Sequence, residues 1–471
     1  MSPARVLPRG LQPSEHRALL AAGDACAATA AVVIALWLWS IPAGWTFSDG
    51  LITGHAWWFV AAPLWLLAAA VPAAPSSIAF SLRRTLAVLV RGAAILLIAY
   101  GAWYFSAGGS GLPRLVVLYF LWEATLLTLV WRLIFVTVFS QQRFRQRAII
   151  VGSGRAAALA LSTIHAHRAR QVDVVGFVPE DGVPEAGEAD EALDVPRIDG
   201  ARLLEAAAER GASELVLALR EPPSDALLKT LLSCQEAGAQ VVRVQTLTEQ
   251  ILHRVPVDFL EPDWLMTDLA DAVRLGEASW LAKRLLDLAG ASLGLIVFAL
   301  VTPFIAAAIW LDSGSPIFYR QRRVGRGGGL FTVVKFRTMR NDAERPGEAR
   351  WADADDPRMT RVGRWLRRTR LDELPQFANI LRGEMSLVGP RPERLEFIAQ
   401  LQEEIPFYRA RLMVPPGLTG WAQVNLPYGD SVDAARAKLE YDLYYVKHRS
   451  VMFDLAIVLR TVGIVARLGG Q

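Results

Sequence analysis

Four runs of mostly apolar residues, 18–41, 55–74, 85–106 and 115–139, fill the N-terminal part of the chain. Each offers about 20 residues, enough to cross the hydrocarbon of a bilayer as a helix. A chain with several such runs has little choice of fold there, because inside lipid only a helix satisfies its own backbone groups within one segment. The intervening arginines orient the bundle. Arg5, Arg9 and Arg17 precede the first run, Arg83 and Arg84 lie between the second and third, and Arg143, Arg145 and Arg147 follow the fourth. Residues 42–54 and 106–113 carry no Lys or Arg. The positive-inside rule therefore puts both ends of the bundle in the cytoplasm. A hydrophobic content of 53% agrees with membrane segments joined to soluble parts.

Three ionisable residues sit inside these runs. Asp24, Arg91 and Arg132 each lie about 10 Å from the cytoplasmic end of their helix. Charges at one depth are expected to pair across the bundle or to reach the headgroups; a contact to lipid phosphate is the rarer reading.

From Arg147 the pattern changes to alternating strands and helices. Arg147–Val151, Val172–Val178, Glu214–Leu219 and Val241–Val244 read as strands, and Leu203–Arg210 and Asp225–Gly238 as helices. The alternation predicts a parallel, doubly wound α/β Rossmann-like domain over 147–254. Gly152-Ser153-Gly154-Arg155-Ala156-Ala157 forms a glycine turn of the type that can hold a dinucleotide or nucleotide-sugar phosphate. No acidic residue closes the second strand cleanly, since Glu180 and Asp181 follow Pro179. A structural or regulatory module is therefore preferred to a working NAD site. Residues 182–194 read as an exposed loop and 255–275 as a connector.

The two cysteines, Cys26 and Cys234, have no nearby thiol partner, and the six histidines form no zinc motif. Net charge is only +4, but basic residues crowd 142–147 and 320–370. Such faces attract phosphates of lipid headgroups or nucleotides; nucleic acid is not the expected partner.

A fifth apolar segment, Leu285–Leu311, is different. Lys283 and Arg284 precede it, and Arg320, Arg322, Arg323 and Arg326 follow. Both flanks prefer the cytoplasmic side. Thr302-Pro303 interrupts the segment, where proline removes one backbone hydrogen bond and kinks a helix. A re-entrant membrane helix that enters and leaves on the same side meets both observations, and the Thr302 hydroxyl would satisfy a freed carbonyl. The alternative is a fifth spanning helix.

The densest chemical pattern lies beyond it. Asp372-Glu373 is surrounded by Arg364, Arg367, Arg368, Arg370 and Arg391, and Pro375 suits the first position of a helix running through Phe377 to Leu381. A carboxylate pair, arginines and a helix start suit phosphoryl transfer, while a solvated surface helix is the plain alternative. Residues 453–468, with Arg460 and Arg467, read as an amphipathic helix on the membrane or packed on the domain.

Six ordered motifs run through this region. They are Ser315-Pro316-Ile317-Phe318-Tyr319-Arg320-Gln321-Arg322, Lys335-Phe336-Arg337-Thr338-Met339, Asp372-Glu373, Met385-Ser386-Leu387-Val388-Gly389-Pro390-Arg391-Pro392, Pro416-Gly417-Leu418-Thr419-Gly420-Trp421 and Tyr441-Asp442-Leu443-Tyr444-Tyr445. Over about 276–471 the chain thereby resembles the bacterial sugar transferases, monotopic polyprenyl-phosphate hexose-1-phosphate transferases. Its four-helix N-terminus and Rossmann-like insert resemble the long form of that family. The resemblance implies a polyprenyl-phosphate sugar phosphotransferase with Mg²⁺ as cofactor. It would move hexose 1-phosphate from a UDP-sugar to undecaprenyl phosphate, release UMP and initiate exopolysaccharide, O-antigen or capsule repeat units. It implies an inner-membrane location with the catalytic domain in the cytoplasm, inner-membrane lipid and downstream glycosyltransferases as partners, and a homodimer as one assembly. Asp372 matches the nucleophile, Glu373 the neighbouring Mg²⁺-associated carboxylate, and Asp372 and Glu373 together the metal site. Arg391, Lys335, Arg337 and Arg367 match phosphate-binding positions, with Asp442 and Asp454 as further acids. Lys283, Arg284, Asp287, Thr302 and Pro303 match the re-entrant helix. Three positions depart from the pattern: Thr302 replaces a common Ser, Leu426-Pro427 replaces a common Gly-Arg after Asn425, and Arg322 replaces a common acid.

The expected architecture is thus a four-helix membrane bundle over 1–146, the α/β domain over 147–254, a connector over 255–275, and an α-rich catalytic domain with a re-entrant helix over 276–471. Two other classes compete: a membrane-bound nucleotide-sugar dehydratase or epimerase, and a polysaccharide scaffold without activity. The first needs a Tyr-x-x-x-Lys pair, yet Tyr441 and Tyr444 lie six and three residues before Lys447.

Overall fold

The computed structural model describes residues 13–44, 59–70, 82–106, 114–139, 146–166, 172–179, 195–219, 222–260, 276–340, 356–427 and 431–466, with residues 264, 269, 343 and 429. The chain divides into two compact units, Met1–Leu247 and Thr248–Gln471.

In the first unit, α1 (Pro13–Ala43), α2 (Ala61–Ala70), α3 (Leu82–Ser106) and α4 (Arg114–Phe139) form the apolar bundle. Stretches of 25, 21 and 25 residues in α1, α3 and α4 are long and apolar enough to span a bilayer. The flanks of α2 lie outside the described residues, so the second expected span is seen only in its core. Gly23 lets α1 and α4 touch: a Cβ there would lie 1.9 Å from the Trp131 ring. The Trp131 indole N–H donates to Leu20 O (3.2 Å), and that of buried Trp65 to Thr128 (3.1 Å). Asp24 and Arg132 form the expected buried pair, 2.7 Å apart. Arg91 is exposed and takes no part in it.

The α/β part follows the sequence pattern closely. Strands β1 (Gln146–Gly152), β2 (Val172–Val178), β3 (Glu214–Ala218) and β4 (Gln240–Arg243) make one parallel sheet in the order β2-β1-β3-β4. Helices α5 (Gly154–Ala166), α6 (Leu203–Arg210) and α7 (Asp225–Glu236) connect them, and α8 (Val244–Leu252) follows. The Ser224 side chain caps α7, and Gly211, in the left-handed region at φ 64°, ends α6. Gly152 has a packing reason to be glycine. At φ 138° its Cβ would stand 2.0 Å from Ala218 O on the adjacent strand. Glu180, Asp181 and the 182–194 loop lie outside the described residues.

The second unit is built around α9 (Glu277–Ser313), 37 residues long. At 1.5 Å per residue it measures about 55 Å. Its buried residues, Lys283, Asp287, Ala291, Gly294, Ile305 and Ile309, mark one face from end to end. Near the start, Lys283 and Asp287 are buried against Asp454 and Leu387, and midway Gly294 gives Phe377 its place, a Cβ there lying 2.4 Å from that ring. Near the finish, Ile305 and Ile309 pack with Phe336 and Leu366. Leu293, Leu300, Phe304 and Leu311 are exposed on the rest of the surface, each more than 60% accessible. Both ends of α9 therefore pack against the same unit. The chain stays helical through Pro303 rather than breaking there. Pro303 deprives Ala299 O of its donor, yet the Thr302 hydroxyl bonds Phe298 O (2.6 Å), one residue earlier. It reinforces the turn next to the gap and does not fill the gap.

Around α9 lie the antiparallel pair β5 (Phe318–Val324) and β6 (Leu330–Phe336), α10 (Arg361–Arg368), a 3₁₀ turn Leu371–Gln376, α11 (Phe377–Arg382) and the parallel pair β7 (Ser386–Val388) and β8 (Gly417–Thr419). Helices α12 (Leu395–Glu404), α13 (Trp421–Asn425), α14 (Val432–His448) and α15 (Val451–Ala466) complete it. The largest core includes Ile398, Leu401, Leu439, Leu443 and Ile457, with the connector residues Val255, Val257, Trp264 and Leu269. Helix α15 buries Asp454 and Ile457 and exposes Met452, Leu459 and Val462, while Arg460 lies over the Trp421 ring at 5.0 Å; Arg467 lies outside the described residues.

Candidate active site

Pro375 does not begin the helix. It is the fifth residue of the 3₁₀ turn Leu371–Gln376, and α11 behind it has only six residues. The carboxylates sit in the first turn of that 3₁₀ segment, entered through Arg370 at φ 58°. So short a helix brings little dipole to bear, and side-chain cations supply most of the positive field here.

Asp372 and Glu373 are each 6% exposed. Glu373 Oε1 receives Lys335 Nζ (2.9 Å) and Arg391 (2.8 Å), and its Oε2 lies 3.6 Å from Arg370. Burial works against its ionisation, but Arg391, Lys335 and Arg370 hold the carboxyl well below the usual range. Asp372 is different. Burial and the Glu373 charge push its carboxyl up to about 6, against the pull of Lys335, Arg367 and Arg370. Its Oδ1 is buried and accepts no hydrogen bond within the described residues. One acid is clamped and anionic; its neighbour keeps an unengaged oxygen. Environments that separate two adjacent carboxyls in this way mark functional pairs.

The other expected site residues fall into distinct places. Lys335 comes from β6 and reaches the pair directly. Arg367, on α10, donates to Thr338 Oγ1 (3.2 Å) and bears on Asp372 electrostatically. Arg337 points elsewhere: it donates to Ser313 O (2.9 Å) and Gly314 O (2.6 Å) and closes the C-terminus of α9. Arg284 donates to Ile380 O and Leu381 O at the end of α11 (2.9 and 2.8 Å).

Asp442, Asp454, Lys283 and Asp287 act through the chain that carries Arg391. Asp287 Oδ1 accepts from Ser386 Oγ (3.0 Å) and Leu387 N (2.9 Å) on β7. Lys283 Nζ lies 2.5 Å from Asp454 Oδ2 and 3.4 Å from Val388 O. The Tyr445 hydroxyl lies 2.9 Å from both Asp454 Oδ1 and Val388 O. Beyond Val388 the chain turns through Gly389-Pro390 into Arg391. Asp442 pairs with Arg411 at 2.7 Å, and Arg411 donates to Arg391 O (3.0 Å). Burial pushes the Asp442 carboxyl up to about 6 against the pull of Arg411. Sequence reading missed Arg411 and placed Tyr445 and Ser386 in motifs without giving either a role. The charge of Arg411 between Ala410 and Leu412 was the one available sign. Trp421 is packed in the core: it is 8% exposed, donates to His253 O (2.9 Å) and meets Phe453 edge-on at 4.9 Å.

Gly389 is required where two chains cross. A Cβ there would meet Pro415 O at 2.4 Å and Gly417 N at 2.8 Å. Gly389→Ala is expected to destabilise the unit by about 1–3 kcal/mol, read as a lower denaturant midpoint in detergent; an unchanged midpoint would show that the crossing relaxes freely.

The sequence that builds this site has counterparts among known proteins. The bacterial sugar transferase family matches residues 278–468. The UDP-glucose:undecaprenyl-phosphate glucose-1-phosphate transferase of Caulobacter vibrioides is 45% identical over 184 residues, 39% of this chain and 68% of that protein. The chain belongs to the bacterial sugar transferase family. Among this sugar transferase's other relatives, the UDP-N-acetylgalactosamine-undecaprenyl-phosphate N-acetylgalactosaminephosphotransferase of Aeromonas hydrophila is 39% identical over 232 residues, 49% of this chain and 53% of that one. The undecaprenyl-phosphate glucose phosphotransferase of Komagataeibacter xylinus is 33% identical over 339 residues, 68% of this chain and 59% of that one. The sugar transferase thus spans little more than half the length of these two relatives. All the site residues described above lie inside the matched segment 278–468.

Proposed function

We propose that this sugar transferase moves a hexose 1-phosphate from a UDP-sugar to undecaprenyl phosphate. The observation that carries the reading is Asp372: a buried acid with an unengaged oxygen, ringed by Lys335, Arg367, Arg370 and the Glu373–Arg391 pair. A carboxylate becomes a workable nucleophile at phosphorus once cations relieve the repulsion between anions. An Asp372 oxygen attacks the sugar-bearing phosphorus, the bond from that phosphorus to the bridging oxygen breaks, and UMP leaves. An oxygen of the lipid phosphate then attacks the phospho-aspartyl intermediate, freeing the Asp372 carboxylate and yielding a lipid diphosphate sugar.

Mg²⁺ fits one of the two carboxylates. Among the described residues no three ligand side chains gather into a cage. Mg²⁺ commonly takes one or two carboxylates together with substrate phosphates and water. Asp372 would be that ligand, through the oxygen that does not attack phosphorus; Glu373, occupied by Lys335, Arg391 and Arg370, serves as their anchor instead of a second ligand. Bound there, Mg²⁺ supplies charge neutralisation of the diphosphate.

Re-entry of α9 from the cytoplasmic side is part of the same proposal. Both ends of the helix pack on one unit, and its outward surface is apolar along its length. That surface sunk in one leaflet sets Asp372 at headgroup height, where a lipid phosphate meets a soluble nucleotide. Reporters fused after residue 312 should read as cytoplasmic; periplasmic readings there overturn the arrangement. UMP release from a panel of UDP-sugars, with and without undecaprenyl phosphate, tests the reaction and identifies the hexose. A scaffold releases none.

The pH dependence follows from Asp372. Attack needs the anion, so kcat/KM should fall on the acid side with a midpoint near the value of about 6 set by burial and Glu373. A plateau extending below pH 5 would contradict that environment.

A further inference from the structure

Helix α10 has a second face. Arg361, Arg364, Trp365 and Arg368 follow the i, i+3, i+4, i+7 spacing that aligns side chains on one side of a helix, and all four are exposed. Trp365 is 55% accessible. Helix α10 itself carries no Asp or Glu, and among the described residues none of the three arginines forms an ion pair. The opposite side is pinned: Leu366 is fully buried against Ile305, Ile309 and Phe336, and Thr360 caps the helix through Gly363 N (2.9 Å). Asp312, near the end of α9, accepts from Val362 N at 3.0 Å. That bond places the basic face beside the finish of α9, where Trp310 and Leu311 are 63% and 77% exposed. The apolar surface of α9 thus continues into a surface of arginine and tryptophan. That is the chemistry of a bilayer boundary: indoles settle at headgroup depth and guanidiniums pair with phosphate.

We infer that the outer face of α10 docks on anionic phospholipid headgroups and holds the adjoining turn, two residues on, at the membrane surface. This rests on the membrane placement of α9 proposed above, but adds a requirement for lipid charge that re-entry alone does not carry. Arg367 and Arg370 face the acid pair and are excluded from the surface.

The full chain, reconstituted in nanodiscs at fixed polyprenyl phosphate density, tests it. One set of discs holds only phosphatidylcholine and another contains phosphatidylglycerol. Each arginine near a charged surface is worth about a fivefold change in local occupancy at most, so the apparent KM for the acceptor lipid should fall several-fold in the anionic discs. The gain should vanish in high salt. Arg367 and Arg370, rather than Arg364 and Arg368, bring charge to the acid pair, so the triple variant Arg361→Gln, Arg364→Gln, Arg368→Gln should keep the wild-type rate in neutral discs and lose the gain. Wild-type behaviour unaffected by phosphatidylglycerol, or a triple variant that responds like wild type, overturns the proposal. So does a gain retained in high salt. Because the variant leaves α9 intact, the reporters after residue 312 separate failure of this inference from failure of the membrane reading. A variant that loses rate in neutral discs is resolved by Arg361→Lys, Arg364→Lys, Arg368→Lys, which keeps the charge and should restore the gain; no restoration counts against the docking role.

Discussion

Asp372→Asn is expected to abolish hexose-phosphate transfer, with a loss on the order of 10³-fold or more in kcat, as for other covalent nucleophiles. The amide matches the carboxylate in size, so Lys335, Arg391 and Arg370 keep Glu373 as their partner and the turn keeps its shape. What goes is the nucleophilic anion. Full turnover in the variant would eliminate the covalent route. The same substitution should stabilise the fold at neutral pH. A carboxyl raised to about 6 in the folded chain and lying near 3.8 when unfolded binds more protons folded than unfolded between those values. Stability of the wild type therefore falls as pH rises through that window, and the buried charge costs the native state above it. The variant escapes this, by on the order of 2 kcal/mol at pH 7, and its advantage should shrink to nothing below pH 4. Thermal melts in detergent at pH 4 and pH 7 measure it. An inactive variant with no stability gain at pH 7 would remove the strained-anion picture of Asp372 while leaving its role as nucleophile.

Lys283→Ala should cost about 3–5 kcal/mol of stability. Lys283 and Asp454 have side chains 11% and 1% exposed, 2.5 Å apart. Removing the ammonium leaves a buried carboxylate with the Tyr445 hydroxyl as its remaining named partner. Breaking one side of such a pair typically costs about 3–5 kcal/mol, while replacing both sides by apolar groups is often close to neutral. The double change Lys283→Met with Asp454→Leu should therefore recover most of the loss. Transfer need not recover with it, because Lys283 and Tyr445 also hold Val388 O, the last carbonyl of β7 before the turn to Arg391. Recovery of both stability and rate would mean that the pair matters only as filling. A single variant as stable as wild type would contradict the burial on which this rests.

The parts of the molecule that could be read from the sequence are those whose determinants are local. The strands at 146–152, 172–178 and 214–218 announce themselves as short apolar runs between turn residues. Asp372, Glu373, Lys335 and Arg391 could be nominated by type and order, and the fold brings Lys335 and Arg391 within hydrogen-bonding distance of Glu373, next to Asp372. Arg337 could not be sorted from Lys335 in that way. Alternation puts both on one face of a strand, but β6 ends at Phe336, and the chain beyond it turns Arg337 onto the end of α9. The charge of Arg411 among apolar neighbours could flag it but not its role, because its partners, Asp442 and the Arg391 carbonyl, are distant in sequence. Pro375 misled for a different reason: a proline suits a 3₁₀ turn as readily as a helix start, and the short α11 that follows gives no periodicity to separate them.

One consequence of α9 concerns how the chain is made. Its early residues Ala291 and Gly294 receive side chains from the segment around 377–387, and its later residues Ile305 and Ile309 receive Phe336 and Leu366. A ribosome delivers α9 before any of these. On the membrane placement proposed above, the segments made after α9 cannot close their cores until that helix is in place, which ties folding of this unit to its arrival at the bilayer.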